Sequence, residues 1–175
     1  MGQQNELEEA ILFLAISFRP EVKMTWLEKE ILSQFGIVKE CTKPFEFDHS
    51  QYYRNEMGDH LKKVFLFFKG FYPVPDAAET KLQSNALEQK YITDSGRSIN
   101  LDPGYITLAK LVLTTTKNFD HRIHIASGIY GDIQLRYRRG EYIVNPWTYP
   151  DYKDANSIEF ILKARTYLQK LVKDK

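Results

Sequence analysis

Ala10-Ile-Leu-Phe-Leu-Ala-Ile-Ser-Phe18 is apolar at every position but one and stops at Arg19-Pro20. A run of this length without polar alternation reads as a strand buried on both faces, with a short core helix as the alternative. Such a strand needs a covering layer above and below, and the next segments offer them. Thr25 and Glu28 have capping-box spacing, Leu27, Ile31 and Phe35 share a helical face, and Gly36 suits the C-terminal cap. Residues 37–47 return to strand character, with Phe45 and Phe47 pointing one way and Glu46 and Asp48 the other. Residues 48–60 read as a turn entering a short helix, and 64–71 as a third strand ended by Tyr72-Pro73.

A second helix is expected over 76–90, with Ala78, Leu82 and Ala86 on its buried face. Residues 97–106 form a fourth strand, interrupted at Pro103-Gly104. The order strand, helix, strand, strand, helix, strand is that of a ferredoxin-like βαββαβ core, hence an α+β fold. Residues 108–116 lean toward a short helix capped by Thr107, although their threonines favour strand. Residues 123–144 read as an antiparallel β-meander with turns at Ser127-Gly128 and Arg139-Gly140. Within it, Ile129, Gly131, Ile133, Leu135 and Tyr137 alternate with Tyr130, Asp132, Gln134, Arg136 and Arg138, so one face is solvated or meets a ligand. A final amphipathic helix follows, in which Asn156 and Glu159 have capping spacing and Ile158, Ile161, Leu162, Leu168 and Leu171 form the apolar stripe.

Composition narrows the class. The 175 residues suffice for one buried core, and the chain is read as a single domain over 1–175. With 24 basic and 23 acidic residues the net charge is +1, which argues against nucleic acid or acidic lipid as a partner. Cys41 is the lone cysteine, so a disulfide framework is excluded and a reducing, cytoplasmic setting is expected. Glu6, Glu8 and Glu9 precede the first apolar run, the opposite of a signal peptide's charge, and that run is too short to span a membrane.

Several motifs together resemble a known family. Phe45-Glu-Phe-Asp48-His-Ser-Gln-Tyr52-Tyr53-Arg-Asn-Glu56-Met57-Gly58 is similar to its Phe-x-Phe-(Asp/Thr)-x-x-x-Tyr-Tyr-x-x-Glu-Met-Gly signature. Ile99-Asn-Leu-Asp-Pro-Gly-Tyr105, His121-Arg122-Ile123, Gly128-Ile129-Tyr130 and Pro146-Trp-Thr-Tyr-Pro-Asp-Tyr152 resemble its other hallmarks. The family is DUF4416, an uncharacterised bacterial domain of unknown function, and the resemblance spans nearly the whole chain. It implies no activity. Some members carry a "GTP-binding" label, but the Gly-x-x-x-x-Gly-Lys-Ser/Thr loop that cradles phosphates is absent here, as is Asn-Lys-x-Asp. Those absences argue against a GTPase of the usual type.

Chemistry-bearing residues concentrate between Tyr91 and Tyr152. Arg97, Lys117 and Arg122 could grip a phosphate or carboxylate, assisted by a glycine turn at Ser95-Gly96-Arg97-Ser98, while Arg122 has a structural reading as a partner of Asp120 or Asp132 that holds the sheet. Asn100 and Asp102 share a strand face and suit a metal or a sugar hydroxyl, with Tyr105 and Trp147 as cavity walls. Trp147 has a structural reading too, as a core plug while its loop docks the last helix. Glu56, Asp59 and His60 would share a helical face and are candidates for a divalent metal. Asp102, Glu56 and His121 are the acid–base candidates, whereas His121 and His124 are three apart and would point to opposite faces of a strand. No nucleophile elbow is present. The expectation is a protein that binds a small phosphorylated or anionic molecule, with catalysis, cofactor and reaction open. The alternative is a non-catalytic interaction or homo-oligomer assembly module using exposed tyrosines such as Tyr52, Tyr53 and Tyr130 and open strand edges.

Overall fold

The computed structural model describes residues 7–47, 56–94 and 96–175. It is a mixed α+β fold built on one large antiparallel sheet. The first strand, β1 (Ala10–Phe18), is buried at all nine positions, as its unbroken apolar run requires. Its even-numbered side chains Leu12, Leu14, Ile16 and Phe18 pack under two helices, α1 (Met24–Phe35) and α2 (Ala77–Gln89), through Leu27, Ile31 and Leu87. Its odd-numbered side chains Ile11, Phe13 and Ala15 pack under the long C-terminal helix α3 (Ala155–Lys173), through Phe160, Ile161, Ala164 and Leu168. The sheet is therefore a middle layer with helices on both faces.

Residues 37–47 divide into β2 (Val38–Cys41) and β3 (Phe45–Glu46), both lying along one edge of β4 (Lys62–Phe68). Pro44, which has no N–H to give a ladder, falls in the gap between them. The strand after α2 is β7 (Ile99–Thr107), preceded by a small hairpin of β5 (Ile92–Thr93) and β6 (Gly96–Arg97). Next come β8 (Lys110–Thr115), β9 (Ile123–Ala126), β10 (Ile129–Arg138) and β11 (Glu141–Val144). The sheet order is β11-β10-β8-β7-β1-β4-β2, so the C-terminal strands continue the same sheet beyond β7. α1 connects β1 to β2, and α2 connects β4 to β7. In each case a third, antiparallel strand is inserted between the two that the helix joins.

Local expectations fare unevenly. Both hairpin turns form as expected, with Ser127 and Gly128, and Arg139 and Gly140, all at positive φ. Residues 110–115 are a strand and not a helix, and the Thr107 hydroxyl accepts from the Ala109 and Lys110 N–H groups in the connecting turn. Neither expected capping box forms: Lys23 and Asp154 hold the N-cap positions, without side-chain caps. The buried face of α2 also differs. Leu82 is 40% exposed, while Ala77, Lys81, Ser84 and Glu88 turn inward together with Ala78, Thr80 and Leu87. No helix among the described residues is long and apolar enough to cross a membrane.

Candidate ligand-binding cavity

The site starts from a proline inside a strand. Pro103 does not interrupt β7; it stands in register opposite Leu14 of β1. Neither backbone polar group of Leu101 faces β1: its N–H donates to the Glu88 carboxylate (2.7 Å), and its carbonyl accepts from Lys81 Nζ (2.7 Å). Strand alternation turns the Pro103 backbone the same way, so its missing N–H lies on the β8 side and leaves the β1 ladder intact. β8 pairs with β7 only from Gly104 to Ile106, and on the Pro103 side of Gly104 the strands splay. Across the splay, the Thr114 hydroxyl donates to the Pro103 carbonyl (2.8 Å), and α2 inserts Lys81 and Glu88.

Beside this seam lies a cavity of about 690 Å³. β7 contributes Asn100 and Asp102; α2 contributes Lys81, Asn85 and Glu88; β4 contributes Lys63. Thr114–Lys117, Phe119, Asp132, Tyr149 and Asp151 complete most of the wall, with Glu56 and Arg97 also on it. Most of the wall charges have an opposite charge beside them. Lys63 meets Asp151 at 2.6 Å, both nearly inaccessible, with the ammonium 4.3 Å from the centre of the Phe47 ring. Lys81 meets Asp102 at 3.6 Å, and Arg97 spans Glu88 (2.6 Å) and Glu56 (3.1 Å). Asn100 donates to Asp102 at 2.7 Å. Burial raises the Glu88 carboxyl, against the opposing pull of Lys81, the Leu101 N–H and Arg97.

The far wall is braced by Arg122. Its Nε donates to Asp132 (2.8 Å), Nη1 to the Lys117 carbonyl (3.0 Å) and Nη2 to the Tyr149 hydroxyl (2.8 Å). Gln134 donates to the other Asp132 oxygen (2.7 Å), and its own carbonyl-type oxygen accepts the Tyr149 N–H (2.9 Å). Burial also raises the Tyr149 phenol; Arg122 opposes that shift, and Asp102 and Asp132 add to it. A bulge in β10 between Ile133 and Leu135 leaves carbonyls that the strands do not use. Trp147 Nε1 donates to the Ile133 carbonyl (2.9 Å) and Asn145 Nδ2 to the same oxygen (2.8 Å), which seats the 145–152 loop on the wall.

Of the expected ligand residues, Arg97, Asn100, Asp102 and Lys117 line this one cavity, and so does Glu56. Tyr105 does not: three residues along β7 from Asp102, it lies on the opposite face of the strand. Trp147 is neither cavity wall nor core plug; it is 38% exposed and stacks on His121 (4.9 Å, 17° between planes). Tyr152, at 0% exposure, fills the core instead. Arg122 is a strut whose three nitrogens all have protein partners. His121 lies outside the lining, between Asp120 (3.2 Å) and Asp132 (3.5 Å). Glu56, Asp59 and His60 do not share a helical face, because the helix ends at Met57 and both Gly58 and His60 take positive φ. Among the described residues no three His, Cys, Asp or Glu side chains gather as a metal site. In the expected glycine turn, Ser98 N–H donates to the Tyr91 carbonyl (3.2 Å); Ser95 lies outside the described residues, as do Asp48, Tyr52 and Tyr53.

Sequence reasoning missed Lys63, Lys81, Glu88 and Asp151. Lys81 and Glu88 belong to a 77/81/84/88 spacing, a helical stripe as regular as the apolar one but largely polar, so no hydrophobic period marks it as buried. Lys63, the second residue of β4, is in phase with Phe65 and Phe67, which places it on their face.

Fold and site together define a mixed α+β protein with one large antiparallel sheet, helices on both its faces and a charged cavity at a splayed strand seam. The chain belongs to the family DUF4416, a domain of unknown function, whose sequence model matches residues 8–167. No curated protein matches the chain, and no solved structure does.

Proposed function

We propose that this protein binds a small hydrophilic molecule bearing a phosphate or carboxylate in the cavity beside β7 and β8. One observation carries the reading. Lys63, Lys81, Glu88, Asp132 and Asp151 are between 1% and 6% exposed and all border one hollow. Exchanging buried ion pairs for apolar side chains is often neutral or stabilising by about 1–4 kcal/mol, so stability alone gives little reason for such a wall. Ligand recognition gives one. Lys117 and Arg97 are the cations nearest the ligand's anionic group in this reading, with Asn100 and Asp102 beneath. Glu56 and Asp102 border the cavity but His121 does not, which favours binding over acid–base catalysis. The order β7-β1-β4-β2, with a helix after β1 and another after β4, supports reading the N-terminal half as a ferredoxin-like core.

The test is a thermal-shift and calorimetric screen against inorganic phosphate and phosphorylated or carboxylated metabolites, with Asn85→Trp beside the wild type. That substitution fills the cavity from α2 and leaves the ion pairs in place. A ligand at about 100 times its Kd stabilises by about 2.7 kcal/mol. The reading expects such a shift in the wild type and its loss in Asn85→Trp; a ligand that binds both equally would place binding elsewhere.

One observation favours the assembly alternative. Among the described residues β9 pairs only with β10, and it presents Ile123 (71% exposed) and Ile125 (36%) on a strand edge without Lys, Glu or Pro to protect it. Light scattering that finds a dimer, abolished by Ile123→Lys, would support it; a monomer at all concentrations would remove it.

A further inference from the structure

β1 has one polar residue, Ser17. The register sets Ser17 opposite Lys63 on β4 and opposite Asn100 on β7, so the three side chains form a row across three strands on one sheet face. Lys63 and Asn100 border the cavity. Ser17 stands in register between these two lining residues without itself reaching the lining; it is 1% exposed, and its hydroxyl has no hydrogen-bond partner among the described residues. An unpartnered buried hydroxyl is unfavourable. Alanine would avoid the penalty, as it does two residues earlier at Ala15, which is wholly buried on the same face.

The row offers no net charge. Asp151 neutralises Lys63 at 2.6 Å, and Asn100 already donates to Asp102 at 2.7 Å. It offers donors and acceptors side by side: the ammonium N–H groups, a hydroxyl that does both, and an amide that does both. Opposed side chains on neighbouring strands stand about 4.5–5.5 Å apart at Cβ, a span that a chain of hydroxyl-bearing carbons can follow. Hydroxyl groups, which donate and accept at once, match such a row better than a bare anion does.

We infer that Lys63, Ser17 and Asn100 form a hydroxyl-recognising subsite, and that the ligand is an anionic polyol of the sugar-phosphate or sugar-acid class. The inference rests on the cavity-binding reading above and assigns its polar end: the anion lies toward Lys117 and Arg97, the hydroxyls on the sheet. Ser17 acts as a specificity residue, because a site built around a hydroxyl discriminates strongly against an analogue that lacks it.

Calorimetric titration of the full chain with ribose 5-phosphate, butyl phosphate and inorganic phosphate tests it. The wild type should bind the sugar phosphate at least about tenfold more tightly than butyl phosphate, and Ser17→Ala should lose that advantage while still binding butyl phosphate. Ser17→Ala should melt no lower than the wild type, since it removes an unpartnered hydroxyl. Equal wild-type affinity for sugar and butyl phosphate overturns the subsite and leaves the cavity reading standing; this comparison needs no variant. An advantage that persists in Ser17→Ala overturns the role of Ser17. Failure of all three probes to bind overturns both readings.

Discussion

Two rows on the same face of the same three strands have opposite characters. Phe67, Phe13 and Gly104 form one; Lys63, Ser17 and Asn100, four residues along, form the other. The first is sealed by α3, and its rings interlock: Phe67 lies 5.4 Å from Phe160. The second is buried as deeply but borders a hollow and carries matched charges. About 13 Å of strand separates them. Burial depth therefore does not mark the core here. What separates core from site is whether the covering element fills the space above the strands, as α3 does and the 145–152 loop does not.

The largest expected effect lies between the rows. Phe65 is wholly buried, 5.4 Å from Phe13 and 4.9 Å from Tyr152. Phe65→Ala should lose about 3–5 kcal/mol in urea melts. At the polar row, Lys63→Met alone should cost a similar amount, about 3–5 kcal/mol, because it strands Asp151 as a buried unpaired carboxylate. The double variant Lys63→Met/Asp151→Leu should recover most of that loss, or exceed the wild type, while losing ligand binding. If the double variant is no more stable than the single one, the pair belongs to the core and the contrast between the rows is gone.

How far the rows could be read beforehand follows from the same contrast. The β1 run, the two crossover helices, the meander turns and the apolar stripe of α3 were legible, because a hydrophobic period states which face is buried. Arg97, Asn100, Asp102 and Lys117 were legible as a group because polar residues crowd the segment around Pro103. Lys81 and Glu88 were not, since a charged helical stripe ordinarily faces water and only the missing β7–β8 pairing gives it a buried role. Arg122 was legible in two ways, as a grip on an anion and as a partner of Asp120 or Asp132 that holds the sheet; the Asp132 pair forms, because the hairpin brings together residues ten apart. Trp147 was overread because the bulge carbonyl that binds it has no sequence signature.

Gly104 sharpens the geometry of the seam. A Cβ there would lie 2.2 Å from the Val112 carbonyl oxygen and 2.9 Å from Leu113 Cα, both backbone atoms. Close pairing at Gly104 holds β7 and β8 together immediately before they splay, so it sets where the cavity begins. Gly104→Ala should destabilise by about 1–3 kcal/mol, read from the shift in a urea midpoint. An unchanged midpoint would mean that the seam is loose and does not position the cavity.

The smallest effect should be a change of slope with pH. Burial raises the Glu88 carboxyl above its ordinary 4.5, in spite of Lys81, the Leu101 N–H and Arg97. A carboxyl with a higher pKa folded than unfolded holds its proton more tightly in the native state. Its contribution to stability is full below 4.5 and fades as pH rises through the raised folded value. Glu88→Gln cannot titrate, yet it keeps an oxygen to accept the Leu101 N–H. Unfolding free energies measured from about pH 4 to about pH 7 should show the wild type at its best relative to Glu88→Gln at the acid end, with the difference falling toward neutrality. A difference that grows with pH would show that Arg97 and Lys81 outweigh burial. Glu88 would then be a structural partner in the wall, and the cavity beside the polar row would have lost one of its reasons to be read as a site.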